Sequence, residues 1–178
     1  SRDPVGLIQG QEASRLQSLV PLRHERMGVS AFTFYRGSAI VQAADLAHTP
    51  ASGIEVQLSG DAHLSNFGLY GSPERRLVFD VNDFDETHPG PFEWDVKRMA
   101  ASAVLTARSN GLRSADQKSL AKRSAKSYRE AMLEFAGKTT LVEWYSRLDV
   151  SDLGKLASSM PPDAALARVD RSVEGARK

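Results

Sequence analysis

The sequence predicts an α+β fold in which helices predominate and a small β-hairpin lies in the middle of the chain. Apolar and polar residues alternate at 54–58, which is the period of a strand with one buried face. Two further β-forming runs, 67–70 and 77–81, flank a Gly-Ser-Pro turn. Before and after this region the apolar residues recur at helical spacing.

The N-terminal third is predicted to be helical. The first helix covers 11–20 and ends at Pro21, because proline cannot continue an unbroken helix, and an arginine-bearing loop follows. Small residues at 38–47 predict a tightly packed second helix that ends near Pro50. The aromatic residues between these helices are expected in the core. They are Phe32, Phe34 and Tyr35.

Three helices are predicted in the second half of the chain. The first begins near Glu93 and is broken by Gly111. The second runs from a cap at Ser114 to about Ala136. A third, shorter helix is predicted at 140–145.

Composition excludes several classes of protein. The 178 residues include no cysteine, which rules out thiol nucleophiles, thiolate zinc sites and disulfides. The formal net charge of +1 lacks the basic excess of a nucleic-acid-binding protein, so no nucleic-acid partner is expected. No apolar run approaches the ~20 residues that cross a bilayer. We therefore expect a cytoplasmic protein with no membrane partner.

Acidic residues are concentrated between residues 77 and 96, where the chain has no Lys or Arg. They are Asp80, Asp83, Asp85, Glu86, Glu93 and Asp95. Positive groups are expected beside them, either as ion-pair partners or as direct phosphate contacts. The candidates are Arg23, Arg26, Arg36 and Arg98.

The segment most informative about function is Gly60-Asp61-Ala62-His63-Leu64-Ser65-Asn66, followed after the hairpin by Asp83-Phe84-Asp85. Phosphoryl transfer needs a carboxylate that orients the acceptor hydroxyl. It also needs an amide oxygen and a second carboxylate that hold Mg²⁺ against the nucleotide phosphates. The order of these residues therefore predicts a phosphoryl-transfer site.

This segment resembles the catalytic loop of aminoglycoside and choline kinases, relatives of the protein kinases with a Gly-Asp-x-His-x-x-Asn signature. The resemblance implies the mostly helical catalytic lobe of a protein-kinase-like fold, with a small β-hairpin sheet carrying the catalytic loop. It implies that Asp61 is the catalytic base and that His63 shapes the loop. Asn66 and Asp83 would hold Mg²⁺ and, through it, the nucleotide.

The same resemblance implies Mg²⁺ and ATP as cofactors and a small-molecule hydroxyl as the phosphoryl acceptor. We expect Asp85 as a further metal ligand and Arg36 as a nucleotide contact. In these kinases another Asp commonly follows the metal-binding Asp by twelve residues and begins a helix. In this chain Asp95 lies twelve residues after Asp83. We expect it either to cap that helix or to anchor the catalytic loop by hydrogen bonds.

Over nearly its whole length the chain also resembles a bacterial family known as domain of unknown function 2252. The matching segments are 23–27, 34–37, 60–68 and 79–99. This second resemblance indicates a related family but does not identify a reaction.

The chain departs from the kinase pattern in two ways. Ser59 and Gly60 stand where a His or Arg usually precedes the catalytic Asp, and no Gly-rich loop or strand Lys comes before Asp61. The family resemblance implies that longer members carry such strands further along. We therefore expect a catalytic domain at 1–160, a polar linker or the start of a nucleotide lobe at 161–178, and an incomplete ATP site.

Several alternatives stay open. Asp61, Asn66 and Asp83 can instead form turns by bonding to their own backbone. Asp80 and Asp85 compete with Asp83 for the second metal position. The chain can also be a catalytically silent kinase-like binding module. A metal-dependent phosphohydrolase is a further reading, although only one histidine follows the motif.

Overall fold

The computed structural model describes residues 3–149, and within that range it has seven α-helices and five β-strands. The helices are α1 (Pro4–Glu12), α2 (Val20–Met27), α3 (Ala31–Gly37), α4 (Ala39–Leu46), α5 (Glu93–Ser109), α6 (Ser114–Ala136) and α7 (Thr140–Trp144). The strands are β1 (Glu55–Leu58), β2 (Phe67–Gly71), β3 (Leu77–Val81), β4 (His88–Pro91) and β5 (Leu148–Asp149). The predicted α+β class is confirmed.

These elements form two compact units. Of the described residues, 3–64 and 83–131 belong to the first unit, and 65–82 and 132–149 belong to the second. The first unit therefore holds α1 to α5, most of α6, and the two-stranded sheet of β1 and β4. No helix in the described range is both long and apolar enough to span a membrane.

The N-terminal helices differ from the prediction at Pro21. Helix α1 already ends at Glu12, and Pro21 lies in the first turn of α2. Proline fits there because the first N–H groups of a helix have no partner inside it. The predicted helix at 11–20 and the loop after it are therefore wrong. The predicted helix at 38–47 is confirmed as α4.

A small apolar core joins three of these helices. Ile8 of α1, Met27 of α2 and Val41 of α4 are buried together. Helix α3 has no fully buried residue, and Phe34 is 44% exposed. The expectation of an aromatic core is therefore wrong for Phe34.

Strand β1 pairs antiparallel with β4, with Glu55 opposite Pro91 and Leu58 opposite His88. The sequence of β4, His-Pro-Gly-Pro, did not predict a strand. Its prolines are tolerated because, in the part of the chain that the structure describes, β4 is an edge strand paired with β1 alone. Leu58 is 1% exposed, but Val56 is 40% exposed. Within the described residues, the predicted buried face therefore holds at Leu58 but not at Val56.

The long helices follow the sequence closely. Helix α5 begins at Glu93, and the chain leaves it through Gly111, whose φ of +73° suits glycine. Helix α6 then begins at Ser114. The rings of Phe92 and Tyr128 stack with centroids 5.7 Å apart.

In the second unit the predicted hairpin is confirmed. Strands β2 and β3 pair antiparallel, with Phe67 opposite Val81 and Gly71 opposite Leu77, and β5 pairs with β3. Helix α7 begins after Thr139, whose side chain caps the helix by accepting a hydrogen bond from a backbone N–H. It ends one residue before the predicted end. The expected linker at 161–178 lies outside the described residues.

Candidate functional site

The loop that follows β1, residues 59–64, carries Asp61 and is called the site loop. Its start is anchored by Asp95 of α5, whose carboxylate accepts hydrogen bonds from the backbone N–H groups of Ser59, at 2.7 Å, and Gly60, at 3.1 Å. Of the two roles expected for Asp95, anchoring the loop is confirmed. Burial raises the pKa of Asp95, although these two hydrogen bonds oppose the rise.

Two more residues of α5 hold the rest of the site loop. Arg98 donates hydrogen bonds to the Asp61 carboxylate, and the buried Ser102 hydroxyl accepts a 3.1 Å bond from the N–H of Leu64. Because Asp95, Arg98 and Ser102 are spaced by three and four residues, they lie on one face of α5. One helix face therefore fixes the site loop at its start, middle and end.

The Arg98 guanidinium is buried, with only 3% of its side chain exposed. Besides Asp61 it donates to the Gln42 side-chain oxygen at 2.6 Å and to the Tyr35 carbonyl at 2.9 Å. It also lies 4.3 Å from the centroid of the Tyr35 ring. Its ion-pair partner is thus Asp61 and not a carboxylate of the acidic stretch.

His63 lies beside Asp61 in the site loop. Its Nε2 is 3.3 Å from Asp61 Oδ2, and its buried ring makes an edge contact with Phe32. Burial alone would raise the pKa of Asp61, but the hydrogen bond from His63 and the charge of Arg98 hold that pKa below its ordinary value. Asp61 is therefore an anion at neutral pH.

Gly60 brings the acidic residues against the site loop. Its φ is +80°, and a Cβ at this position would lie 1.9 Å from the carbonyl oxygen of Glu86. Only glycine allows this approach. The acidic turn, residues 83–86, is itself closed by a 3.1 Å bond from the N–H of Asp85 to Asp83 Oδ1.

We expect Gly60→Ala to lower the free energy of unfolding by about 3 kcal/mol or more, because it adds a backbone clash to the strain of a left-handed residue. Gly53→Ala is the matched control, since Gly53 has a φ of +84° but no atom within 4 Å of its added Cβ. It should cost only about 1–2 kcal/mol. Urea unfolding of both variants measures the difference, and equal losses would show that the contact with Glu86 is unimportant.

A charged cavity of about 220 Å³ lies in front of the site loop, within the first unit. Three arginines and four carboxylates line it. They are Arg15, Arg23, Arg36, Asp61, Asp83, Asp85 and Glu86. The structure thus brings together Asp61, Asp83, Asp85 and Arg36 of the predicted site.

Other predicted residues lie in the second unit. Asn66 is buried, and its carbonyl accepts a 2.9 Å hydrogen bond from the N–H of Asn82. Asp80 is exposed on β3, where its Oδ1 accepts a 2.8 Å bond from the N–H of Val81. The assignment of Asn66 as a metal ligand stays a prediction, as does the role of His63.

The charged cavity contains carboxylates, which are the side chains that bind Mg²⁺ in proteins. No group of three or more His, Asp or Glu side chains within residues 3–149 is arranged to hold a metal by itself. Mg²⁺, however, commonly keeps several waters and takes one or two carboxylates together with substrate phosphates. Asp83 and Asp85 both line the cavity, and their assignment as metal ligands stays a prediction.

Sequence reasoning missed several residues of the site. Arg15 lines the charged cavity, and Gln42 and Tyr35 hold Arg98; no motif marks Arg15 or Gln42, and the family segment that contains Tyr35 did not indicate this role. The helical spacing of Asp95 and Arg98 was the signal that could have revealed the support from α5.

Comparison of the chain with known proteins identifies the family to which it is related. The family model described as "Uncharacterized protein conserved in bacteria (DUF2252)" matches residues 15–178. No curated protein and no solved structure matches the chain. The resemblance seen in the four sequence segments is thus confirmed, and the chain belongs to the bacterial DUF2252 family.

Proposed function

We propose that the chain is the catalytic part of a kinase-like phosphotransferase that uses Mg²⁺ and ATP and acts on the hydroxyl of a small molecule. One observation carries the proposal. Asp61, Asp83 and Asp85, which the kinase-like motif singles out, line a single cavity with Arg36, although more than twenty residues separate Asp61 from Asp83.

Asp61 is the group that would orient the acceptor. Its carboxylate is anionic, faces the charged cavity and is held from behind by Arg98 and His63. Because its pKa is low, Asp61 is a weak base, and its main task is to hold the acceptor O–H in line with the phosphorus. A loose transition state requires little proton removal before the new bond forms.

In the proposed reaction the acceptor oxygen bonds to the γ-phosphorus of ATP while the bond from that phosphorus to the β,γ-bridging oxygen breaks. The hydroxyl proton leaves toward Asp61, and ADP departs with the bond's electron pair. Asp83 and Asp85 would hold Mg²⁺, which would neutralise part of the negative charge of the phosphates. Arg36 contributes hydrogen bonds to phosphate oxygens.

The size of the charged cavity supports an incomplete ATP site. About 220 Å³ is less than the ~300 Å³ at which ligand pockets usually begin. The cavity therefore suits the phosphate end of a nucleotide better than a whole one. A further lobe that covers the nucleotide stays part of the proposal.

The test is incubation of the chain with MgATP and a panel of hydroxyl acceptors, with ADP release and phosphorylated acceptor measured together. Product formation that requires Asp61 supports the proposal. ATP hydrolysis without transfer would favour the phosphohydrolase reading, and nucleotide binding without turnover would favour the silent module.

Asp83→Asn and Asp85→Asn are each expected to weaken Mn²⁺ binding by about tenfold, because each removes one negative charge from a two-carboxylate site. Electron paramagnetic resonance of free Mn²⁺ measures the affinity. Asp80→Asn tests the rival assignment of the second metal position: Asp80 is exposed and does not line the charged cavity, so this variant should keep the Mn²⁺ affinity if Asp83 and Asp85 are the ligands. Equal Mn²⁺ affinity in all three variants would contradict the metal assignment.

A further inference from the structure

We propose that Arg15 and Arg36 form a clamp for a polyphosphate group, and that this arginine clamp binds the group only together with Mg²⁺. The inference rests on the proposed function for the assignment of Asp83 and Asp85 to the metal. It adds the residues that grip the phosphates and the condition under which they do so.

The two clamp residues differ from the other arginines around the site. Within residues 3–149, neither the Arg15 nor the Arg36 side chain makes an ion pair or a hydrogen bond, and both residues are exposed. Arg23, by contrast, pairs with Glu12 at 2.9 Å and also donates to a backbone carbonyl. Arg98 is committed to Asp61. The clamp residues are therefore the guanidinium groups on the cavity wall that a ligand can use.

The charges of the cavity explain why a metal is needed. Three of the charged side chains that line the cavity are arginines and four are carboxylates. Within residues 3–149, the Glu86 carboxylate has a weak 3.5 Å contact from the Gln11 amide. The wall thus carries an excess of one negative charge, which repels a bare polyphosphate. Bound Mg²⁺ reverses the sign of this excess and makes the cavity attractive to phosphate.

Guanidinium geometry suits this task. A planar guanidinium offers paired N–H donors that match two phosphate oxygens, and it stays charged at every physiological pH. Arg15 follows α1, and Arg36 lies in α3, so both belong to the same unit as Asp61 and the acidic turn. No strand Lys or Gly-rich loop precedes Asp61 in this chain. The arginine clamp supplies the positive charge that those parts provide elsewhere.

Calorimetric titration of the chain with inorganic tripolyphosphate, with and without Mg²⁺, tests the clamp. We expect saturable binding with Mg²⁺ and none without it. Arg15→Gln and Arg36→Gln should each weaken the Mg²⁺-dependent binding by about tenfold or more, as expected for loss of a charge-assisted contact. Arg26→Gln is the matched control, because Arg26 is exposed on α2 and does not line the charged cavity. Its affinity should stay within about twofold of the unmodified chain.

Circular dichroism of each variant reports the fold, and Arg36→Lys provides a second variant that keeps the charge but loses the paired donors. It should bind more weakly than the unmodified chain and more tightly than Arg36→Gln. Binding that is equally tight without Mg²⁺, absent altogether, or unchanged in both glutamine variants would overturn the clamp.

The outcomes for the clamp and for the proposed function can be told apart. If tripolyphosphate binding behaves as expected but no acceptor is phosphorylated, the clamp stands and the phosphotransferase proposal fails. If phosphoryl transfer proceeds while the glutamine variants keep full affinity for tripolyphosphate, the transferase stands and the clamp fails.

Discussion

Asp61→Asn is expected to lower phosphoryl transfer by about 10³-fold while Mg²⁺-tripolyphosphate affinity changes little. Asparagine keeps the shape of the side chain and can still accept a hydrogen bond from Arg98. It cannot, however, present a full negative charge to the acceptor hydroxyl or take its proton. Rates with the best acceptor, measured beside tripolyphosphate titrations, separate loss of chemistry from loss of binding.

Asp80→Asn is the control for Asp61→Asn, since it makes the same chemical change at an exposed carboxylate on β3. We expect it to leave the transfer rate within about twofold of the original. Near-normal transfer by Asp61→Asn would return Asp61 to the role of a turn former in a glycine-containing loop.

Arg98→Met is expected to lower the free energy of unfolding by about 3 kcal/mol, near the lower end of the range for breaking a buried ion pair. The lower end applies because the Asp61 side chain is 18% exposed and keeps some contact with water. Loss of Arg98 also removes one donor from the Gln42 oxygen, which keeps the bond from the Tyr35 hydroxyl, and one from the Tyr35 carbonyl, which keeps the bond from the Ser38 N–H. The pKa of Asp61 should rise when that positive charge is removed.

Arg113→Met is the matched control for Arg98→Met. Arg113 also pairs with an aspartate, Asp116, but its side chain is 84% exposed, so its loss should cost less than about 1 kcal/mol. Denaturant unfolding of both variants gives the comparison. A double-mutant cycle of Arg98→Met with Asp61→Asn should show a coupling of about 1–3 kcal/mol. Additive effects, or equal losses at Arg98 and Arg113, would contradict the central role of the buried pair.

Local sequence determined most of the secondary structure. The hairpin of β2 and β3 follows from two β-forming runs around a turn, and α4 to α7 follow from helical spacing with Gly111 as a break. These signals act between residues that are close in the chain, so a single sequence contains them. The prediction failed at Pro21, because a proline can either end one helix or lie in the first turn of the next. The local sequence does not distinguish these two outcomes.

The sequence by itself also determined which groups to examine at the site. The order of Asp61, Asp83 and Asp85 marked a phosphoryl-transfer pattern, and the spacing of Asp95 marked an anchor for the site loop. The phosphoryl-transfer site stays a proposal, whereas the hydrogen bonds from Ser59 and Gly60 to Asp95 confirm the anchor.

Only the tertiary structure decided how these groups are held. The contacts between α5 and the site loop join residues 35 to 38 positions apart, and the Arg98 contacts with Gln42 and Tyr35 span 56 and 63 positions. The pairing of β1 with the His-Pro-Gly-Pro strand also joins segments that are far apart in the sequence, so no local rule predicts it. Such partners are selected by packing, because a buried charge needs a compensating group from whichever segment the fold brings beside it.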